Sequence, residues 1–202
     1  IEETKHMSSS TTAGRADDSD SELDARIENV VERTILRNIP GLSLHVSESD
    51  LDVGPTPKEL VYSNETARLY HYEPLLDEIY RVPILLVMSP VAKGYILDLA
   101  EGQSLVEYLL LQGHDVYMLE WAAPRREQSE LGLDDYVIDL VGGCIEAVVD
   151  DCGENEVTLV GYCMGGMLSA MYTALNPEGP VKNLVCFTTP VNGDGMELYK
   201  KW

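Results

Sequence analysis

One cysteine stands in a pattern that nucleophilic chemistry requires. Cys163 lies in the segment Gly-Tyr-Cys-Met-Gly-Gly, which follows an apolar stretch at residues 157–160 and precedes a run typical of a helix. A nucleophile on such a strand–turn–helix bend has a strained backbone, and the residues two before and two after it must be small. Gly161 and Gly165 meet that requirement. We therefore predict Cys163 as the nucleophile and these two glycines as the residues that permit the bend.

Backbone N–H groups near Cys163 are candidates for stabilising an oxyanion. The first N–H groups of a helix have no partner within the helix, and its positive end favours a thiolate placed there. We predict the backbone N–H of Met164 as one oxyanion donor. A second donor is expected in the loop after the third strand, residues 89–95, and the N–H of Val91 or Ala92 is the candidate.

The three other cysteines are expected to be reduced and structural. Cys144, Cys152 and Cys186 form no Cys-x-x-Cys pair, so a zinc site is not predicted. Cys144 and Cys186 fall in the middle of predicted elements and are expected in the core, and Cys152 falls at a helix end. The alternative for Cys163 is the same structural role, beside glycines that only let a helix pack closely.

The elements that must hold Cys163 alternate along the chain. A β-hairpin comes first, and a continuous apolar strand, buried on both faces, follows it. Strand–helix alternation after a hairpin indicates a mostly parallel sheet with helices on both faces, which binds ligands at the carboxyl ends of its strands. With the bend at Cys163, this predicts an α/β-hydrolase fold. The predicted strands cover residues 61–63, 67–72, 84–88, 116–119, 157–160 and 184–187, and the predicted helices 104–112, 133–149 and 164–175.

The charge of the chain excludes some partners. It has 35 acidic and 14 basic residues, a net charge of −21 spread along its length. Such a surface repels phosphate backbones, so nucleic-acid binding is not predicted. An ordinary acidic protein and one adapted to a salt-rich cytoplasm both fit this composition, and we favour adaptation to salt. No apolar run approaches the roughly 18 residues of a membrane-spanning helix, and no signal peptide is recognised.

Composition divides the chain into three parts. Residues 1–20 are acidic and rich in serine, and are predicted to be disordered. Residues 21–58 are predicted as an N-terminal extension, with an amphipathic helix and an irregular linker containing Pro and Gly. Residues 59–202 are predicted as the N-terminal part of the catalytic domain.

A general base is missing from the expected place in the sequence. The α/β-hydrolase order is nucleophile, acid, histidine, whereas all four histidines precede Cys163. We therefore expect the chain to be an N-terminal piece of a longer enzyme, with its sheet incomplete at the C-terminus, and to be inactive alone.

The motifs resemble those of polyhydroxyalkanoate synthases. The segment around Cys163 resembles the family's cysteine lipase box. Agreement extends to Tyr-Ile-Leu-Asp-Leu at residues 95–99, Gln-Gly-His-Asp-Val-Tyr at 112–117 with Trp121, and Thr-Pro-Val at 189–191. The acidic composition resembles the catalytic subunits of two-subunit (class III) synthases of halophilic archaea. The chain departs from the family pattern at Ala92-Lys93-Gly94, Glu120 and Asn192.

The resemblance implies an activity and its surroundings. Cys163 would attack the thioester of a 3-hydroxyacyl-CoA, coenzyme A would leave, and a hydroxyl of one acyl unit would attack the next to extend a polyester. A histidine and an aspartate later in the chain would assist. The family uses no metal or bound cofactor, acts in the cytoplasm on polymer granules, and in this class works with a second (PhaE-like) subunit, as a homo- or hetero-oligomer.

Two alternatives differ from the synthase. A cysteine hydrolase of the dienelactone hydrolase type uses the same bend, but water resolves its acyl-enzyme. A degenerate relative would bind granules or partners without catalysis, and the Ala92-Lys93-Gly94 departure is its best support.

Overall fold

A computed structural model describes residues 53–192, all of which lie in the second of two units into which the chain divides, Asp52–Trp202. The predictions for residues 1–20 and for most of 21–58 fall outside these described residues. The three-part division of the chain stays a prediction.

Within residues 53–192, six strands form one mixed sheet in the order β1-β2-β4-β3-β5-β6. β1 pairs antiparallel with β2, and β2 pairs antiparallel with β4. β3 lies between β4 and β5 and pairs parallel with both, and β5 pairs parallel with β6. The hairpin and the mostly parallel sheet are therefore confirmed. The strands are β1 Lys58–Asn64, β2 Ala67–Tyr72, β3 Ile84–Val87, β4 Val116–Trp121, β5 Val157–Tyr162 and β6 Val181–Phe187.

In the described part of the chain, three α-helices connect the parallel strands: α1 Leu105–Leu111, α2 Gly142–Cys152 and α3 Met164–Leu175. The chain moves from β3 to β4 in one direction across the sheet, and then back past β3 to β5 and on to β6. Because such crossovers are right-handed, α1 covers one face of the sheet, and α2 and α3 cover the other. The α/β-hydrolase fold class is confirmed. No helix among residues 53–192 is long and apolar enough to cross a membrane.

The helix predicted over residues 133–149 has a more complex form. It begins as a π-helix, Asp135–Val141, and continues as α2 to Cys152. Two glycines at the junction let neighbouring elements approach. A Cβ at Gly142 would lie 3.1 Å from the ring of Tyr172 in α3, and one at Gly143 would lie 2.8 Å from the hydroxyl of Tyr62 in β1.

The core lies around the central strands. All four residues of β3 are buried, as expected for a strand covered by helices on both faces. β6 differs, because Leu184, Val185 and Phe187 are all exposed at this edge of the described sheet. Cys186 was expected in the core, but it is exposed, because β6 pairs within residues 53–192 with β5 only. Cys144 is buried, as predicted.

Candidate active site

Cys163 occupies the sharp turn between β5 and α3. Its backbone has φ 53° and ψ −119°, in the positive-φ region that non-glycine residues rarely adopt. Hydrogen bonds fix the turn on both sides: the Cys163 N–H donates to the Phe187 carbonyl at 2.9 Å, and the Gly166 N–H donates to the Cys163 carbonyl at 3.1 Å. Such strain persists only where the surrounding structure imposes it, and it is typical of functional sites.

The glycines around the turn have almost no space for a side chain. A Cβ at Gly161 would overlap Gly166, with the Gly166 nitrogen at 2.6 Å. A Cβ at Gly165 would overlap the Val87 carbonyl at the end of β3 and lie 2.7 Å from the Met88 carbonyl oxygen. Glycine at these positions lets α3 begin close to the end of β5, at Gly161, and close to the end of β3, at Gly165.

Thr189, which follows the end of β6, contacts the glycines that flank the turn. The hydroxyl of Thr189 donates to the Gly161 carbonyl at 3.4 Å, and Thr189 occupies the position that a Gly166 side chain would need. Thr188, just before it, has φ 50°, so the chain turns sharply where β6 ends. The Thr-Pro-Val motif at residues 189–191 is a weak indication of this contact in the sequence.

The described thiols differ in accessibility. Cys163 is partly exposed. Burial raises the pKa of the Cys144 thiol to about 12, so this thiol stays protonated. Burial also raises the pKa of Cys152, and the nearby Asp115 and Glu154 carboxylates add to the shift. A thiolate is disfavoured at Cys144 and Cys152, so neither thiol is suited to act as a nucleophile.

The predicted oxyanion donors differ in whether their backbone N–H groups already have a hydrogen-bond partner. Met164 is the first residue of α3, and within residues 53–192 no backbone carbonyl accepts from its N–H. The Val91 N–H makes only a long hydrogen bond of 3.4 Å to the Ser89 hydroxyl. The Ala92 N–H donates to the Ser89 carbonyl at 3.0 Å. Because Ala92 is already engaged, Val91 is the better second candidate, and its role remains a prediction.

Trp121 fixes the start of the loop that carries Val91. Its indole N–H donates to the Met88 carbonyl at 2.7 Å in a buried hydrogen bond. The same Met88 carbonyl oxygen would lie 2.7 Å from a Cβ at Gly165, next to the closer Val87 carbonyl. The indole also packs against the ring of Tyr136, with centroids 5.2 Å apart. In the sequence, Trp121 is recognisable only as part of a family motif. Its hydrogen bond to Met88 could not be predicted, because a tryptophan at a strand end does not reveal its hydrogen-bond partner.

Asp98 fixes the other end of the same loop. Its fully buried carboxylate accepts from the Thr56 hydroxyl at 2.7 Å, the Thr56 N–H at 3.2 Å and the Ser104 hydroxyl at 2.7 Å. Ser104 in turn caps α1 by accepting from the Glu107 N–H. The Asp98 carbonyl accepts from the Gly54 N–H at 2.7 Å. The end of the predicted linker is therefore held against the domain.

The described histidines lie away from Cys163. His71 pairs with Tyr117 near the amino end of β4, and His114 lies just before this strand, whereas Cys163 follows the carboxyl end of β5. The His71 ring is stacked on Tyr117 at 4.1 Å, and its nitrogens lie 2.7 Å from Asp115 and 3.5 Å from Asp151. Burial alone lowers the pKa of His71, but Asp115 and, more weakly, Asp151 and Glu59 outweigh it and raise the pKa.

The chain matches a known family model over more than half of its length. Residues 94–200 match the family model described as the alpha/beta hydrolase fold. This match covers more than half of the 202 residues. The chain therefore belongs to the α/β-hydrolase fold family, in agreement with its sheet and with the turn at Cys163.

A second family model and three similar proteins give a more specific comparison. Residues 42–109 match the model of the N-terminus of poly-beta-hydroxybutyrate polymerase (PhaC). A poly(3-hydroxyalkanoate) polymerase subunit PhaC from Haloferax mediterranei is 46% identical over 67% of this chain and 27% of its own length. Subunits of the same name from Haloarcula marismortui and Synechocystis are 39% and 38% identical, over 75% and 78% of this chain and 33% and 40% of their own lengths.

The predicted resemblance to polyhydroxyalkanoate synthases, including those of halophilic archaea, is confirmed by these similarities. The chain spans between 27% and 40% of the length of the three relatives.

Proposed function

We propose that the protein polymerises 3-hydroxyacyl-CoA into a polyester, with Cys163 as the nucleophile that carries the growing acyl group. The observation that carries the proposal is the strained turn at Cys163, between β5 and α3. It is found in a chain similar to PhaC polymerases. The thiol is partly exposed, as a group that must meet substrate requires.

The proposed reaction transfers the acyl group in two steps. The Cys163 thiolate attacks the thioester carbonyl carbon, and the resulting oxyanion accepts hydrogen bonds from the N–H groups of Met164 and Val91. The bond from this carbon to the sulfur of coenzyme A breaks, coenzyme A leaves as its thiol, and the acyl group stays on Cys163. A 3-hydroxyl then attacks the carbonyl carbon of this new thioester, an ester forms, the carbon–sulfur bond breaks and the Cys163 thiol is released.

The proton transfers need further groups. In the family pattern, a histidine and an aspartate that follow the nucleophile along the chain take the thiol proton and assist the hydroxyl. We propose these roles for such residues in the protein at its full natural length, with no metal or bound cofactor. We also propose a second subunit of the PhaE kind, a homo- or hetero-oligomeric assembly, and a cytoplasmic, granule-associated location.

The test measures release of coenzyme A from 3-hydroxybutyryl-CoA by the protein at its full natural length. The Cys163→Ala variant is expected to lose release by a factor of 10³ or more, because no acyl-enzyme forms. Cys186→Ala is the matched control, since that cysteine is also exposed, and it should retain activity. Undiminished release by Cys163→Ala would exclude the proposal.

The product distinguishes the synthase from a cysteine hydrolase. Both release coenzyme A, but a synthase yields an insoluble polyester and a hydrolase yields free 3-hydroxybutyrate. We expect polymer to account for most of the released coenzyme A. Free acid in equal amount to coenzyme A would favour the hydrolase.

A further inference from the structure

The positively charged side chains of the described domain fall into two groups. Lys58, Arg81 and Lys182 each form an ion pair with a carboxylate. Arg68 donates to the carbonyls of Glu65 and Ala67. Three exposed cations remain that form no ion pair within residues 53–192: Lys93, Arg125 and Arg126.

The paired exposed cations lie at the amino edge of the parallel strands. Arg81 precedes β3, and Lys182 lies at the start of β6. Arg81 binds Glu154 at 2.5 Å and also Glu156, which Lys182 contacts at 2.8 Å. At this edge, opposite to that of Cys163, neighbouring carboxylates neutralise the exposed positive charge.

The unpaired cations lie at the other edge. Lys93 follows β3, and Arg125 and Arg126 follow β4, so all three extend from the carboxyl ends of adjacent strands. Cys163 follows β5, the other neighbour of β3. Adjacent strands lie about 4.8 Å apart, so the ends of β4 and β5 are separated by about 10 Å.

The loop after β3 turns towards β4. A Cβ at Gly94, the residue after Lys93, would lie 2.6 Å from the sulfur of Met118 and 2.5 Å from the carboxyl carbon of Glu120, both in β4. Lys93 is thereby brought towards the strand that leads to Arg125. The charge of Glu120 is already paired with Lys58. Glu127, beside Arg126, reduces the local positive potential but leaves the guanidinium groups free to bind.

We propose that Lys93, Arg125 and Arg126 form an anion site that binds the phosphate groups of the acyl-CoA substrate while its thioester reaches Cys163. This inference rests on the proposed function. In a chain of net charge −21, unpaired cations at the same edge of the sheet as the nucleophile would concentrate a phosphorylated substrate that the rest of the surface repels. Arginine binds phosphate through two parallel hydrogen bonds, and lysine binds it as a point charge.

Loss of the anion site is expected to weaken substrate binding and to leave the chemical step unchanged. Its contacts to phosphate are the same in the ground state and the transition state, so their loss raises KM and leaves kcat unchanged. Three exposed charge contacts together are expected to change affinity about tenfold, with a smaller effect at high salt.

The first experiment measures binding of coenzyme A to the protein at its full natural length. It uses the triple variant Lys93→Ala, Arg125→Ala, Arg126→Ala in the Cys163→Ala background, so that no turnover occurs. We expect Kd to rise about tenfold, while the control pair Arg81→Ala, Lys182→Ala leaves it within twofold. An unchanged Kd in the triple variant would overturn the proposal, as would an equal rise in the control pair.

The second experiment compares two substrates in the active background. These are 3-hydroxybutyryl-CoA and the N-acetylcysteamine thioester of the same acid, which has no phosphate. The triple variant should raise KM for the first substrate only. An equal loss with both would mean that the residues act on structure and would overturn the inference. Turnover that persists in Cys163→Ala would instead refute the proposed function, so the two failures are distinguishable.

Discussion

Replacing Trp121 by Phe removes one buried hydrogen bond and keeps an aromatic ring. The indole N–H donates to the Met88 carbonyl at 2.7 Å, and Trp121 is only 7% exposed. Leaving that carbonyl without a donor costs about 1–3 kcal/mol, and the space left by the smaller ring adds about 1 kcal/mol. We therefore expect Trp121→Phe to lower the free energy of unfolding by about 2–4 kcal/mol.

The same substitution is expected to lower activity, because the Met88 peptide leads into the loop that carries Val91. Removal of an oxyanion donor lowers kcat by about 10²–10³ in a well-studied protease, and a displaced donor should cost less. We expect kcat to fall about tenfold, with KM little changed. Alkylation of Cys163 by iodoacetamide forms no oxyanion, so its rate should stay within twofold of the wild-type rate.

Three measurements test this reasoning: thermal unfolding, steady-state kinetics per mole of folded protein, and the alkylation rate. At about 2–4 °C per kcal/mol for a protein of this size, Tm should fall by roughly 5–15 °C. Tyr108→Phe is the control, since Tyr108 is 58% exposed on α1, and it should shift stability by less than about 0.5 kcal/mol. A Trp121→Phe variant as stable and as active as the wild type would refute the role assigned to this hydrogen bond.

The remaining predictions concern other contacts of the domain. Gly165→Ala should lower the free energy of unfolding by about 1–3 kcal/mol or more, because its Cβ would meet fixed backbone carbonyls. The control is Gly102→Ala, which has open space around a φ of 72° and should cost only the backbone strain of about 1–2 kcal/mol. Chemical denaturation measures both changes. Asp98→Ala should lower the free energy of unfolding by about 3–5 kcal/mol, since three donors lose a buried acceptor. The control is Asp77→Ala, which removes a carboxylate exposed in a loop and should change Tm little. Equal Tm shifts in the two variants would contradict the anchoring role of Asp98. The raised pKa of His71 means that its protonated form stabilises the fold, fully below about pH 6.5 and progressively less as the pH rises through the folded-state pKa. His71→Gln should abolish the loss of Tm that this group causes above about pH 6.5, and an unchanged pH profile of Tm would exclude the contribution.

Local sequence patterns were sufficient to predict most of the fold. The apolar run that became β3 and the turn signals around β1 and β2 depend on neighbours along the chain, and each element was found within a few residues of its expected position. The π-helix before α2 was missed, because the helical periodicity of residues 133–149 does not distinguish two kinds of helical hydrogen bonding.

Contacts between distant residues could not be predicted in this way. Asp98 and Thr56 are 42 positions apart, and Trp121 and Met88 are 33 apart. No local pattern indicates such pairs. Burial at a sheet edge is similarly non-local, which is why Cys186 was wrongly expected in the core. Around Cys163, the small-residue requirement of the turn is readable from the sequence, but the support from Thr189 required the structure.

The proposed polymerisation requires that Cys163 carries the acyl group during turnover. The direct measurement is peptide mass spectrometry of the protein at its full natural length, quenched in acid seconds after mixing with 3-hydroxybutyryl-CoA. We expect the peptide that contains Cys163 to gain the mass of one or more 3-hydroxybutyryl units, and hydroxylamine to remove it. An acyl group found on another residue while Cys163 stays unmodified during active turnover would contradict the account.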